Sequence, residues 1–355
     1  MSDELQNLRA SIDAIDAEML KLLNSRAENA QAIGRLKKGV AYRPDREAQV
    51  LRRIKEINTG PLSDETAALL FREIMSACLA LERPLTVAYL GPVGTFSQAA
   101  AVKQFGHAAQ ALPQPSIDTV FRTTEAGEAD FCVVPVENST EGAIGRTLDL
   151  LIESPLKICG EVVLRIHHHL LCKEERALEK IAKVYSHAQS LAQCHEWLNS
   201  HMPVAQRIPV ASNAEAARMA AEEAGAAAIA GEMAGEQYNL IGLAKNIEDE
   251  PNNTTRFLVL GRDDYAASGR DKTSLVLSTK NRPGAVHDLL TPLAQNGVSM
   301  TKFESRPLKS VMWEYVFFID IEGHKDDAIV IKTLDELKQR TSFMKVLGSY
   351  PVAVL

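Results

Sequence analysis

The chain has 355 residues, 46% hydrophobic and 24% charged, with a formal net charge of −7. That length points to two or three domains of ordinary globular composition. The acidic balance excludes nucleic acid and anionic membranes as partners, because phosphate is neutralised by surplus Lys and Arg.

No apolar run of about eighteen residues offers a membrane span. The polar, acidic start from Met1 to Leu8 is no secretory signal. The five cysteines (Cys78, Cys132, Cys159, Cys172 and Cys194) form no C-x-x-C pair. A reduced, cytoplasmic setting is expected, without a disulfide framework or zinc site.

Residues 1–84 read as all helix. Leu5, Leu8, Ile12, Ile15, Met19 and Leu22 recur at 3-4-3-4-3 spacing, the seam of a heptad. The helix is expected to run to about Lys38 and to measure about 50 Å. A block this small cannot cover such a helix, so a second chain is expected on the seam. Pro44 suits the first turn of a second helix, which Gly60-Pro61 breaks. Ser63 suits the N-cap of a third, reaching Glu82.

Beyond Leu22 the seam turns polar at Arg26 and Asn29. Lys37 lies eleven residues after Arg26, three turns on, and shares its face. These cations, with Arg9, Arg46 and Glu47 nearby, form a candidate site for a small dianion. A single buried Arg would fix register only, and the cluster argues for more. Leu8-Arg9, Ile12-Asp13-x-x-Asp16, Leu22-Leu23-x-x-Arg26, Ile33-Gly34-x-x-Lys37 and Arg46-Glu47 resemble the all-helical chorismate mutase family.

That resemblance implies an intertwined dimer in which each site borrows Arg9 from its partner. It assigns Arg26 and Arg46 to the two substrate carboxylates, Lys37 to the ether oxygen and Glu47 to a ring hydroxyl. Chorismate would rearrange to prephenate by a pericyclic shift, which needs only fixed donors in a dry pocket. Glu82 and Cys78 stand where many members carry Gln and Ser, and Arg43 where some carry Asp. Glu82 can donate to the ether oxygen only when protonated, which burial would favour.

Residues 85–263 alternate short strands with helices, an α/β pattern. Strands are expected at 85–90, 131–136, 162–172 and 226–230, and helices at 97–105, 191–199 and 214–224. Four polar clusters follow strands or open helices: Gly91-Pro92-x-Gly94-Thr95-Phe96-Ser97, Glu137-Asn138-Ser139-Thr140, Ser186-His187-x-Gln189-x-Leu191-x-Gln193-Cys194, and Asn253-Thr254-Thr255-Arg256-Phe257. Each alone is ordinary turn and cap chemistry. All four in this order resemble the prephenate dehydratase family, with Ala188 where Pro is usual.

The resemblance implies two α/β subdomains with a cleft between them and no cofactor or metal. Thr255 would assist departure of the ring hydroxyl. Thr95, Ser97, Asn138, Ser139, Ser186 and Gln189 would line the cleft. Arg256 is assigned to a substrate carboxylate or to Glu137. The run His167-His168-His169 is expected to be partly exposed strand, because successive strand residues face opposite ways and cannot share one ion.

Residues 272–355 read β-α-β-β-α-β, the ferredoxin-like order, after a linker at 263–271. Asn281-Arg282-Pro283-Gly284-Ala285 and Glu304-Ser305-Arg306-Pro307 resemble the ACT amino-acid-sensing domain, with Val286 in place of a common Leu. Phenylalanine would bind there, at a dimer interface, near Gly284, Ala285, Glu304, Ser305 and Arg306.

The three resemblances together imply a bifunctional, feedback-inhibited enzyme of phenylalanine biosynthesis acting on chorismate and prephenate. The alternatives are a dehydratase whose mutase-like arm only dimerises, and a non-catalytic sensor. A sensor would have no need of Thr255, Arg26 and Lys37.

Overall fold

A computed structural model describes residues 2–36, 42–279, 282–307 and 315–355. Three helices come first: α1 (Ser2–Leu36), α2 (Pro44–Ile57) and α3 (Asp64–Ala80). Asp3 and Glu4 in its first turn and Arg35 in its last complement the dipole of α1. Pro44 opens α2. Ser63 caps α3, its hydroxyl accepting from Thr66 N at 3.1 Å. The expected end of α1 at Lys38 lies outside the described residues.

The α1 seam finds no cover among the described residues. Leu8, Ile12, Ile15 and Leu22 are 55–61% exposed, and the main packing partner of the helix is α3. By contrast, α2 and α3 dock firmly on the α/β region. Tyr42 is buried between Phe105 and Phe131, with ring centroids 5.0 and 5.2 Å away. Arg72 donates to the carbonyls of Lys103 and Gln104 at 2.6 and 2.9 Å.

The α/β region forms two subdomains. The first contains β1 (Thr86–Leu90), α4 (Phe96–Phe105), β2 (Gln110–Gln114), α5 (Ile117–Glu125), β3 (Phe131–Asn138), β4 (Gly142–Ala143), α6 (Gly145–Glu153) and β5 (Lys157–Arg165). The chain then crosses to β6 (His169–Cys172), β7 (Lys183–His187), α7 (Ala188–Gln193), α8 (His195–His201), β8 (Gln206–Val210), α9 (Asn213–Glu222), β9 (Ala226–Ala230), α10 (Glu232–Gln237) and β10 (Ile241–Ala244). It returns as β11 (Thr254–Gly261). The sheets run β2-β1-β3-β11-β5, with β4 on β3, and β10-β6-β9-β7-β8.

The strand expected over 162–172 is therefore two strands. Residues 166–168 leave one sheet before β6 joins the other. The segment from Val162 to Cys172 contains no Gly or Pro to mark a break, so the pattern conceals the crossing.

The last unit comprises β12 (Asp271–Ser278), α11 (Ala285–Asn296), β13 (Met300–Pro307), β14 (Tyr315–Glu322), α12 (Ala328–Arg340) and β15 (Phe343–Pro351), in the sheet order β13-β14-β12-β15. This is the expected ferredoxin-like order. Its sheet shares one core with the first subdomain: Val276, Phe318 and Tyr350 pack with Val134, Leu148 and Leu258. At Gly348 a side chain would collide with the backbone of Ile158. The linker is packed too, since Arg52 on α2 donates to the carbonyls of Ser268 and Arg270 at 3.0 and 2.9 Å.

Candidate functional site

The two subdomains enclose a cleft of about 430 Å³ whose lining includes Thr95, Ser97, Asn138, Gln189 and Thr255. Helices α4 and α9 begin at its wall, at Thr95 and at Ser212-Asn213. Their N-terminal ends offer positive potential. Among the described residues that line it there is no Lys or Arg, so anions here would be held by dipoles and neutral donors. Gly94, at φ +90°, lets the turn before α4 pass close to the second subdomain: a Cβ at this position would lie 3.1 Å from Ala234 Cα.

Hydrogen bonds give the cleft a defined direction. Asn138 accepts at Oδ1 from Thr140 N at 3.0 Å and from Thr140 Oγ1 at 2.5 Å. Its Nδ2 therefore faces the other way and donates to Thr255 Oγ1 and Asn253 Oδ1, each at 2.9 Å. Asn253 Nδ2 donates to Gln193 Oε1 at 3.1 Å. That carbonyl also lies 2.9 Å from His168 Nε2, which must carry the proton. Thr255 receives a bond from Asn138, so its own hydroxyl proton is available to the cavity.

Other predicted residues play supporting parts. The hydroxyl of Thr95 donates to Leu90 O at 3.0 Å and accepts from Gln98 N, capping α4. Ser139 stands outside the lining and stitches the turn by accepting from Thr254 N at 2.9 Å. Ser186 is fully buried, 2.9 Å from Asn213 Oδ1 and 2.8 Å from Ile229 O. It orients Asn213, which does reach the cavity.

The assignment of Arg256 to the substrate, or to Glu137, needs correction. Neighbours on a strand point to opposite faces, so Arg256 faces away from the cleft that Thr255 enters. Its guanidinium meets Glu161 at 2.9 Å, Asp320 at 2.7 Å and the Tyr350 hydroxyl at 2.9 Å. The expectation for His168 also changes. It is buried in the crossing between sheets, and burial holds its imidazole below the ordinary value. His167 instead meets Glu248 at 2.8 Å, and His169 accepts from Asn246 N.

Sequence reasoning assigns no part to Gln193, Asn253 or Asn213. The first two lie within the motif segments, and the third reads only as the start of a helix. The signal that could find them is an amide at the end of an element that borders the cleft. Among the described residues no group of three His, Cys, Asp or Glu side chains is placed to hold a metal.

In the helical block, Arg26 is half-buried on α1, while Arg9, Arg43 and Arg46 are exposed. Arg9 lies about 25 Å along the helix from Arg26. Glu82 closes α3 against α1, and a side chain at Gly34 would collide with its carboxylate. Cys78 is buried. Arg43 is held by Asp45 at 2.7 Å. Glu47 points away from α1 to Arg72 at 3.2 Å and Tyr42 at 3.3 Å. Burial raises its carboxyl above the ordinary range, with Arg72 and Tyr42 opposing. Lys37 lies outside the described residues. One chain thus brings Glu82 to α1 but leaves Arg9 far from Arg26 along it.

In the ferredoxin-like unit, Gly284 and Ala285 line a second cavity of about 230 Å³ with Tyr315 and Phe317. Glu304, Ser305 and Arg306 are absent from that lining. Arg306 turns to Asp149 of the first subdomain, at 3.0 Å.

Comparisons with known proteins cover the whole chain. Residues 8–83 match the family model for chorismate mutase type II, residues 87–265 that for prephenate dehydratase, and residues 273–339 that for the ACT domain. A bifunctional chorismate mutase/prephenate dehydratase of Neisseria gonorrhoeae is 61% identical, over 98% of this chain and 97% of its own length. One from Stutzerimonas stutzeri is 52% identical, over 100% and 99%. The crystal structure of a prephenate dehydratase from Arthrobacter aurescens, in complex with L-Phe, is similar with a TM-score of 0.70 and 34% identity, over 75% of this chain and 90% of that one. The full-length matches include the helical block, which decides between the bifunctional and dehydratase-only readings: the chain belongs to the family of bifunctional chorismate mutase/prephenate dehydratases.

Proposed function

We infer that Thr255 is the proton donor of the dehydratase reaction. The observation that carries this reading is the bond from Asn138 Nδ2 to Thr255 Oγ1 at 2.9 Å, which leaves the threonine proton for the cleft. In prephenate, the C–C bond to the ring carboxylate breaks and its electrons enter the ring. The C–O bond on the far side of the ring breaks with them, and the departing hydroxide takes the proton offered by Thr255. Water, carbon dioxide and phenylpyruvate result, and solvent returns a proton to the threonine. Formation of the aromatic ring drives the step, so one weak acid and anchored carboxylates suffice. The N-terminal ends of α4 and α9, with Gln189 and Asn213, are suited to those carboxylates.

The mutase site is a property of two chains in this reading. The exposed seam of α1 and the distance from Arg9 to Arg26 support a dimer in which Arg9 crosses to the partner's site. Arg26, Lys37, Arg46 and Glu82 complete it. Glu47 would have to leave Arg72 to reach substrate, so its part in the site depends on rearrangement at the dimer interface. Ile12→Asp, which places a charge in the seam, is expected to yield monomers in analytical ultracentrifugation and to abolish mutase turnover. A monomeric variant with full mutase activity would contradict it.

Phenylalanine is the proposed ligand of the cavity at Gly284 and Ala285, with Glu304 and Ser305 contributing across a pairing of chains; Arg306 would have to leave Asp149 to join them. A reducing, cytoplasmic location suits the five free thiols. The test is to supply chorismate alone, with and without phenylalanine. Transient prephenate followed by phenylpyruvate, suppressed by phenylalanine, is the expected course. Turnover of prephenate but not chorismate would remove the mutase part.

A further inference from the structure

Four charges join the dehydratase sheet to the ACT sheet immediately behind the candidate catalytic residues. On β11 and β3, Arg256 is paired in register with Glu137, next to the pair Thr255 and Asn138. On β14 and β13, Asp320 is paired in register with Lys302. The two pairs face each other with alternating sign. Arg256 meets Asp320 at 2.7 Å, and Lys302 meets Glu137 at 2.6 Å. Successive residues of a strand project to opposite faces. Thr255 and Asn138 therefore look into the cleft, and Arg256 and Glu137 look into the ACT domain.

The contact is stiff. Three of the four side chains are at most 15% exposed, and Glu137 is 40% exposed. The Tyr350 hydroxyl accepts from Arg256 and lies 2.7 Å from Ser274 Oγ, which donates to Asp320 Oδ1 at 2.5 Å. Lys272 and Arg256 share Glu161. The strand that carries Asp320 begins at Tyr315 and Phe317, which line the 230 Å³ cavity at Gly284. β14 thus connects the cavity to Arg256, one residue from Thr255. Packed strands with buried ion pairs move as units rather than deforming smoothly.

We propose that Arg256 and Glu137 are positioning residues, through which the ACT domain sets the alignment of Thr255 with Asn138 and an occupied ACT cavity slows the dehydratase. This rests on the reading that phenylalanine binds that cavity and inhibits. The linkage requires an energetic difference between the two states of the contact, and the four-charge junction provides a discrete one.

The test uses Glu137→Gln, Lys302→Gln and the double variant in the full chain, sparing Thr255 and Asn138. Dehydratase turnover is measured across phenylalanine concentrations, each variant normalised to its own uninhibited rate. Phenylalanine binding is followed separately by calorimetry, and mutase turnover in the same samples reports folding.

The expected result is that phenylalanine still binds, but its inhibition weakens by about threefold or more in each single variant. The double variant should be no weaker than the singles, because both remove one contact. Unaltered fractional inhibition in all three, with binding intact, would overturn the proposal. Absence of binding or inhibition in the parent chain would instead overturn the regulatory reading beneath it.

Discussion

Replacing Asn138 by Asp changes one group, an NH₂ to an oxygen, at nearly constant volume. The structure makes the consequence specific. Oδ1 keeps its place, because the backbone N–H of Thr140 and Glu141 point at it. The lost group is Nδ2, with its two bonds of 2.9 Å to Asn253 Oδ1 and Thr255 Oγ1. Each neutral bond is worth about 0.5–1.5 kcal/mol, so the chain loses roughly 1–3 kcal/mol of stability.

The catalytic effect is larger. Thr255 Oγ1 now faces an acceptor, and its proton turns to Asp in place of the leaving hydroxide. A placed proton donor contributes about 10²–10⁴ in rate, and dehydratase kcat should fall by ~10²–10³ with little change in KM. Phenylpyruvate formation from prephenate measures this, a thermal melt gives the stability change, and mutase turnover serves as an internal control. A kcat within about threefold of the parent, in folded Asn138→Asp, would refute the directed chain of bonds, since that chain is worth far more by the same scale.

Other perturbations test separate parts of the account. Glutamine at position 82 carries an N–H that a carboxylate lacks, so Glu82→Gln should keep or raise mutase turnover from chorismate; a large loss of turnover in the folded variant would remove residue 82 from the ether-oxygen role. Burial depresses the imidazole of His168, and that of His169 in the same direction. The unfolded chain then takes up protons near pH 6.5 that the folded chain refuses, so stability is lost as pH falls through about 6.5. The melting temperature of His168→Phe should show a shallower decline between about pH 7 and 5 than the parent, and an equal slope would contradict the buried neutral histidine.

Much of the fold was legible because periodicity and caps are local. The seam of α1, the Ser63 cap and the β-α-β-β-α-β order of the last unit were all readable at their positions. The break at residues 166–168 was not, since no Gly or Pro marks it and an extended segment looks the same whether it stays in one sheet or crosses to another. Short elements such as β4 and β10 depend on their neighbours for existence and leave little trace of their own. In the cleft, the motif segments pointed to Thr255 and Asn138.

The period of a strand should have warned that Arg256 cannot share a face with Thr255. His168 was hidden by the triplet around it, whose three members meet different partners. The mutase cations were readable as a cluster along α1, and the seam beside them called for a second chain, but periodicity does not say which side chain a partner would supply to Arg26.

The most direct measurement supplies chorismate alone to Thr255→Val and follows both products at neutral pH. Valine keeps the shape of threonine and removes its proton, while the helical block is untouched. Prephenate should accumulate at the parent's mutase rate, with phenylpyruvate formation reduced by about 10²-fold or more. Phenylpyruvate appearing at the parental rate would contradict the assignment of Thr255 as the proton donor and, with it, the account of the cleft.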